Sequence, residues 1–476
     1  MSVSDPRVGS SASMSPPEKG NESAELRELS GKELRKPILA GTVGNFIEQF
    51  DYGIYGYLAP YMAVAFFPSE DKLAGLLSVY VGFALSFLLR PFGGMIFGRY
   101  GDKMGRKNAL ALAIILMGSL TALIGLLPPY AAIGFAAPLL LLVIRAAQGL
   151  VQGGEYAGAV AFIVEYAPAR KRGLYTSFLS VSVFAGLLAG AGLAAVVAAS
   201  VSGEQMAAWG WRIPFLVALP LTLGGLFLRL RIDETPEFRR MQEQQKRDEA
   251  SLDPKPAAAS QNPLMEALTT QRKPILIFAG FAITNAVLSY TWVAFIPGYL
   301  KNDQGLPASQ ALSSNFFALG LLLPLLVLSG HMVDRFGRKP MLISACVSAV
   351  FLVPVAFGVI QSGTFAGALI AQFIYLVPIM LISVALTVSM AELFPTKVRY
   401  SASAMAYNLA FGIFGGTAPL VATFLMSATG TVWSVAVYVC IIAVVSLICV
   451  ILAFRETKGT DLAVDKYADL DASSTS

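Results

Sequence analysis

Gly98-Arg-Tyr-Gly-Asp102-Lys-Met-Gly105-Arg106-Lys107 and, far downstream, Gly330-His-Met-Val-Asp334-Arg-Phe-Gly337-Arg338-Lys339 share one pattern, G-x-x-x-D-x-x-G-R-K, and each follows a long apolar run. A second pair sits at matching distances. Glu165-Tyr-Ala-Pro168-Ala-Arg-Lys-Arg172 answers to Glu392-Leu-Phe-Pro395-Thr-Lys-Val-Arg399. Two charged loops recurring in the same order between hydrophobic segments read as an internal duplication, the pattern of two parallel repeats in a membrane protein.

The surrounding composition fits. Of 476 residues, 55% are hydrophobic and only 14% charged, and the mean hydropathy is +0.64, whereas soluble domains carry roughly a quarter charged residues. The apolar residues fall into runs near the ~20 needed to cross ~30 Å of hydrocarbon as a helix. Hydropathy places these at 38–62, 73–97, 108–127, 139–162, 174–199 and 211–230, then 275–300, 309–330, 341–360, 365–390, 403–427 and 432–454. Continuous runs exclude a membrane β-barrel, whose strands are short and alternating. Small residues four apart, Gly149/Gly153 and Gly186/Gly190 among them, suit close helix packing.

The expected fold is therefore an all-α membrane protein, twelve transmembrane helices in two pseudo-symmetric six-helix bundles, with both termini cytoplasmic. Its expected divisions are a disordered tail over 1–35, a first bundle over 36–230, a cytoplasmic linker over 231–273, a second bundle over 274–455 and a tail over 456–476. That topology puts Arg99, Lys103, Arg106, Lys107, Arg170, Lys171, Arg172, Arg335, Arg338, Lys339, Lys397 and Arg399 inside, with Lys72 and Lys301 outside, a strong positive-inside bias. The same bias accounts for the net charge of +5 without nucleic acid. Cys346, Cys440 and Cys449 lie in apolar runs without CxxC spacing, and His331 is the one histidine. No metal, cofactor or catalytic constellation is indicated, so an enzyme is not expected.

Charged residues inside apolar runs are costly and ask for a function. Glu48 and Asp51 lie midway along the first run, three apart and so on one face of a helix. Arg90 and Arg145 lie within the second and fourth. These side chains are either buried ion pairs that fix helix rotation or the acid and guanidinium groups of proton coupling and anion capture. Burial disfavours an ionised carboxylate and a nearby guanidinium favours it, so a substrate carboxylate that competes for the arginine would leave the acid ready to take a proton. Gln148, Asn285, Tyr290, Tyr375, Tyr407 and Asn408 are polar side chains placed to line the same chamber. Trp292 reads as core.

The G-x-x-x-D-x-x-G-R-K loops resemble the signature of the major facilitator superfamily. Gly44-Asn-Phe-Ile-Glu48-Gln-Phe-Asp51-Tyr, Arg90-Pro-Phe-Gly-Gly94, Arg145-Ala-Ala-Gln148-Gly149, Gly153-Gly154-Glu155-Tyr156, Trp209-Gly-Trp-Arg-Ile-Pro214-Phe and Asp233-Glu-Thr-Pro-Glu237-Phe narrow the resemblance to its metabolite:proton symporters. The chain is similar to proline/glycine betaine permeases over 164–173 and 209–230, and to α-ketoglutarate, citrate and shikimate permeases through Arg145. It departs from the subfamily at Gln49, where a tryptophan is usual, and lacks the C-terminal coiled coil of some osmosensing permeases.

The resemblance implies alternating access around a central cavity bordered by the first and fourth spans, and uptake of a small organic acid or zwitterion with protons. It also implies a multi-pass protein of the cell membrane, acting as a monomer, whose partners are a small solute, protons and the lipid bilayer. Asp102, Arg106, Glu155, Glu165, Arg172, Asp334, Arg338, Glu392 and Arg399 are the expected cytoplasmic gate, with the aspartates receiving helix N-termini and the arginines pairing across loops. Alternatives are a sugar porter, suggested by Glu456-Thr-Lys-Gly459 and the Glu165 loop, and an exporter of apolar drugs, which has less use for two buried arginines.

Overall fold

A computed structural model describes residues 31–68, 71–93, 106–153, 155–230, 270–394 and 399–460. Among them there is no strand. The first part of the chain supplies α1 (Gly31–Phe66), α2 (Lys72–Leu88), α3 (Arg106–Leu126), α4 (Ala136–Val151), α5 (Glu155–Tyr166), α6 (Arg172–Ser200) and α7 (Arg212–Leu230). The second supplies α8 (Arg272–Tyr290), α9 (Ile296–Asn302), α10 (Ala308–Phe336), α11 (Arg338–Ile360), α12 (Phe365–Glu392), α13 (Arg399–Ala410), α14 (Gly416–Thr429) and α15 (Trp433–Leu452).

Nine helical stretches among the described residues are long and apolar enough to cross a membrane, ten if the bent pair Gly203–Gly210 and Arg212–Phe227 counts as one span. Two more expected spans coincide with α1 and with the shorter apolar helix Ala111–Leu126. Large apolar side chains such as Val64, Phe351 and Leu452 remain exposed. A soluble protein would bury them, and hydrocarbon does not require it.

Several expected spans are interrupted. The fourth breaks after Val151 with a turn at Gln152 and Gly153, so α4 and α5 are separate helices. π-helical segments lie just ahead of the sixth, at Met206–Gly210, and within the seventh and eleventh, at Thr291–Phe295 and Phe411–Gly415, each closed by a hydrogen bond five residues back. Prolines supply a cause. Pro214, Pro297 and Pro419 lack the N–H that would reach Gly210, Val293 and Gly415 four residues earlier. Each would leave a carbonyl of the π segment unmatched, and the wider turn is one way to rearrange those bonds.

The most extensive helix contacts join α10 to α6, α11 to α12 and α1 to α6. Gly149 shows why the small residues are needed: a Cβ there would lie 2.1 Å from the Ser86 carbonyl oxygen, so only glycine lets α4 meet α2. This contact brings Ser86 and Arg145 within hydrogen-bond reach, at 3.0 Å.

Candidate functional site

The acids of α1 have different partners. Asp51 accepts from Arg145 Nη1 at 3.0 Å, Thr121 Oγ1 at 2.6 Å and Gln148 Nε2 at 3.0 Å. Arg145 also donates to Gln148 Oε1 at 2.7 Å and to Ser86 Oγ, with its guanidinium 4.1 Å from the Tyr55 ring centre. Both nitrogens at the end of that guanidinium are engaged and the cluster is fully buried. Glu48 instead meets Arg90 Nη2 at 2.5 Å, and the same nitrogen donates to the Tyr52 hydroxyl at 2.8 Å and to Gln152 Oε1 at 3.1 Å. Tyr52 in turn donates to Gln152. All three hydrogen bonds of Arg90 leave from one nitrogen, and its Nε has no partner among the described residues. Tyr52 stands between the clusters, its ring centre 5.0 Å from the Arg90 guanidinium and 5.5 Å from that of Arg145.

Beside these clusters lies a cavity lined from both parts of the chain. The first part contributes Gln49, Tyr156, Ser180 and Phe184, and the second contributes Asn285, Ser289, Tyr290, Ser383, Thr387, Tyr407 and Phe411. Among the described residues no charged side chain lines it. Tyr156 spans it to Thr387 at 3.0 Å, and Ser383 donates to Asn285 Oδ1 at 3.3 Å. The amide of Gln49 and the hydroxyls of Ser289, Tyr290 and Tyr407 make no hydrogen bond among the described residues, and each of these side chains is more than nine-tenths buried. Their polar atoms are left open to the cavity, where a ligand's own polar groups could meet them. Their convergence on one chamber is the mark of a ligand site.

Glu48, Asp51, Arg90, Arg145 and Gln148 are not among the lining residues, although the sequence suggested a shared chamber. They sit behind an aromatic wall. Tyr290 meets Phe87 edge-on at 4.9 Å and Tyr52 at 6.3 Å, while the Arg90 guanidinium lies 4.4 Å from the Phe87 ring centre. Asn285, Tyr290 and Tyr407 do line the cavity. Tyr375 donates to the Leu288 carbonyl at 3.3 Å and Asn408 to the Gly153 carbonyl at 3.0 Å, so these two hold helices together and are not lining residues. Trp292 is buried, its Nε1 donating to Gln372. Sequence reasoning did not place Gln49, Tyr156, Ser289, Ser383 or Thr387 in the cavity; the departure at Gln49 and the quoted Glu155-Tyr156 pair were the only signals.

The two parts of the chain touch on either side of the cavity. At the end carrying the Gly330–Lys339 loop, Asp334 accepts from the backbone N–H of Gly173 at 2.7 Å and of Leu174 at 2.9 Å, which places its charge on the positive end of α6. A Cβ on Gly173 would lie 2.6 Å from the Gly330 carbonyl oxygen, so the backbones themselves are in contact. Arg338 grips Glu392 with Nε and Nη2, each at 2.9 Å, and Arg172 reaches the same carboxylate at 3.3 Å. Thr457 donates to Glu392 at 2.7 Å, and Arg172 also reaches the Thr460 carbonyl at 3.0 Å. Glu456 receives the backbone N–H groups of Arg338 at 3.0 Å and Lys339 at 2.9 Å. Burial pushes its carboxyl up, but these donors and the one from Lys458 outweigh it and hold the group below the usual range.

Arg399 Nε binds the carbonyls of Ala391 and Phe394. Asp102 lies outside the described residues, as do the side chains of Arg106, Glu155 and Glu165. At the opposite end hydrogen bonds join neutral groups, and the Lys301 ammonium lies 4.0 Å from the Tyr61 ring centre. Tyr57 donates to Asn315 Oδ1 at 2.8 Å and Tyr80 to the Ala294 carbonyl at 2.8 Å. Asn315 and Trp292 both donate to Gln372 Oε1 at 3.0 Å, and Gln372 donates to Ser314 at 2.7 Å.

The family model described as sugar (and other) transporter matches residues 38–466. The glycine betaine/proline/ectoine/pipecolic acid transporter OusA of Dickeya dadantii is 35% identical over 419 residues, 87% of this chain and 82% of the relative. The proline/betaine transporter of Escherichia coli K12 is 35% identical over 421 residues, with the same 87% and 82% coverage. Among solved structures, the partially occluded inward-open xylose transporter XylE from E. coli superposes with a TM-score of 0.71 at 20% identity, covering 90% of this chain and 99% of that one. At that identity the likeness speaks for the fold alone. The chain belongs to the sugar (and other) transporter family of the major facilitator superfamily and is a multi-pass membrane transporter.

Proposed function

We propose that this transporter is a proton-coupled importer of a small net-neutral zwitterion, of the proline or betaine kind, in the cell membrane. The observation that carries the reading is the cavity itself: without a charged lining side chain among the described residues, aromatic on one side, and lined by hydroxyl and amide groups open to it. A di- or tricarboxylate would bring net negative charge to a chamber without a lining cation, at high desolvation cost. The named relatives carry proline and betaine, which agrees with this choice.

In the proposed arrangement the chain has twelve spans in two six-helix halves, 36–230 and 274–455, joined by a cytoplasmic linker over 231–273. Both tails, 1–35 and 456–476, lie in the cytoplasm. The Asp334, Arg338, Glu392 and Arg172 contacts then form the cytoplasmic gate, with Asp102, Arg106, Glu155, Glu165 and Arg399 as its further members. The Tyr57 and Tyr80 contacts form the outer gate. Glu48 and Asp51 are the proton-coupling acids. Asp51, fixed by three donors, orients Arg145; Glu48, held by an arginine that uses one nitrogen, is the acid that exchanges its partner. Solute in the cavity presses on Tyr290, whose ring packs on Phe87 beside the Arg90 guanidinium, and displaces that guanidinium from Glu48. Glu48, left in a low-dielectric site without its counter-charge, then takes a proton. One charge falling through 100 mV supplies about 2.3 kcal/mol and each unit of pH gradient about 1.4 kcal/mol, enough for substantial accumulation.

The test is uptake of labelled betaine and proline by proteoliposomes under an inward proton gradient, beside the Glu48→Gln variant. Wild type accumulates one of them; Glu48→Gln loses accumulation and keeps exchange. Gradient-independent uptake overturns the coupling. A second reading, a sugar porter, draws on the same neutral amides and stacked rings, and xylose uptake in the absence of betaine or proline uptake would favour it.

A further inference from the structure

Resting on the zwitterion reading, the geometry points to a cavity divided into two subsites: a dipolar one, in which a substrate carboxylate is held by Gln49, Asn285 and Ser289, and an aromatic one for the ammonium group on Tyr290 and Phe411. Gln49 comes from α1, and Asn285 and Ser289 come from α8, four residues and so about one turn apart on one face. Asn285 uses its Oδ1 for Ser383 and has no hydrogen bond from its Nδ2 among the described residues. Gln49 and Ser289 have none at all among them. These side chains thus offer N–H and O–H donors from both parts of the chain and no positive charge.

A carboxylate has two oxygens and about four lone-pair directions. It can accept from Gln49 on one side and from Asn285 and Ser289 on the other, joining α1 to α8 across the chamber. A lone hydroxyl or an alkyl group cannot.

The opposite wall is made of rings. Tyr156, Tyr407 and Phe411 stack in sequence, with ring centres 4.8 Å and 4.1 Å apart, and Tyr290 stands at 84° to Phe411 with centres 6.4 Å apart. The corner between Phe411 and Tyr290 presents an aromatic face and a second ring at right angles to it, the setting in which a substituted ammonium is attracted without hydrogen-bond donors of its own. Affinity then depends on both ends of the zwitterion.

Competition against labelled glycine betaine in proteoliposomes of the full chain separates the ends. Choline keeps the trimethylammonium group and lacks the carboxylate; 3,3-dimethylbutanoate keeps the carboxylate and replaces the cation with a neutral group of the same shape. Each competes about tenfold or more weakly than unlabelled betaine, the factor for one lost charge-assisted contact. Gln49→Met raises KM for betaine about tenfold with little change in kcat and narrows the gap between betaine and choline. Phe411→Leu narrows the gap between betaine and 3,3-dimethylbutanoate. Equal competition by either analogue overturns the subsite it probes without reference to any variant. Absence of betaine and proline uptake in wild type overturns the zwitterion reading and this assignment together, whereas uptake with an unchanged KM in Gln49→Met overturns the assignment alone.

Discussion

The two ends of the cavity are closed by different chemistry. Arg172, Arg338, Asp334 and Glu392 close one end with charges and a helix terminus. Tyr57, Tyr80, Asn315 and Gln372 close the other with neutral groups. Removing one member of a buried ion pair strands the other as an unpaired charge, whereas removing one neutral hydroxyl strands a single dipole. The charged closure is therefore brittle, failing as a unit, and the neutral one yields in small steps. A transporter that rocks between states can thus hold one end firmly and let the other respond to its solute.

The largest effect belongs to Glu392→Ala. Arg338 and Arg172 lose their shared carboxylate, a change of the kind that costs about 3–5 kcal/mol. The melting temperature in detergent falls steeply and cysteines introduced near Gly173 become reactive; an unchanged melt would mean that the charged end holds no more firmly than the neutral one. Tyr57→Phe should cost about 1 kcal/mol, the value of one hydroxyl bond plus the unmet Asn315 Oδ1. It should raise labelling at the opposite end while leaving reactivity near Gly173 as it was. Equal labelling at both ends would erase the distinction.

The smallest effect is the pH dependence set by Glu456. Its carboxyl is held below the ordinary value of 4.5, so its stabilising contribution is complete above that value and is lost as pH falls through the lower folded value. The difference in melting temperature between wild type and Glu456→Gln should hold above about pH 4.5 and shrink as pH falls below it. A constant difference would remove Glu456 from the account of the charged end.

Much of the scaffold was legible before any coordinates. The duplicated loops and apolar run lengths gave the helical membrane class, and the prolines at 214, 297 and 419 sit beside the π segments. Intramembrane charges also stand out in a sequence, because each violates the local solvent. Gln49, Ser289 and Thr387 do not stand out, since serine, threonine and glutamine occur in apolar helices for packing and back-bonding as readily as for binding. Glu48 and Gln49 are neighbours in the chain, yet a helix turns about 100° per residue, and one faces Arg90 while the other faces the cavity.

Run length and charge placement, fixed by the cost of putting polar groups into hydrocarbon, were enough to say that this chain is a helical membrane protein with ionised groups to explain. Which of its polar side chains are used up by one another and which are left facing the cavity was decided only when helices from both parts of the chain packed together. Hydrogen-bond satisfaction is a property of distances between segments, and no stretch of sequence contains those distances.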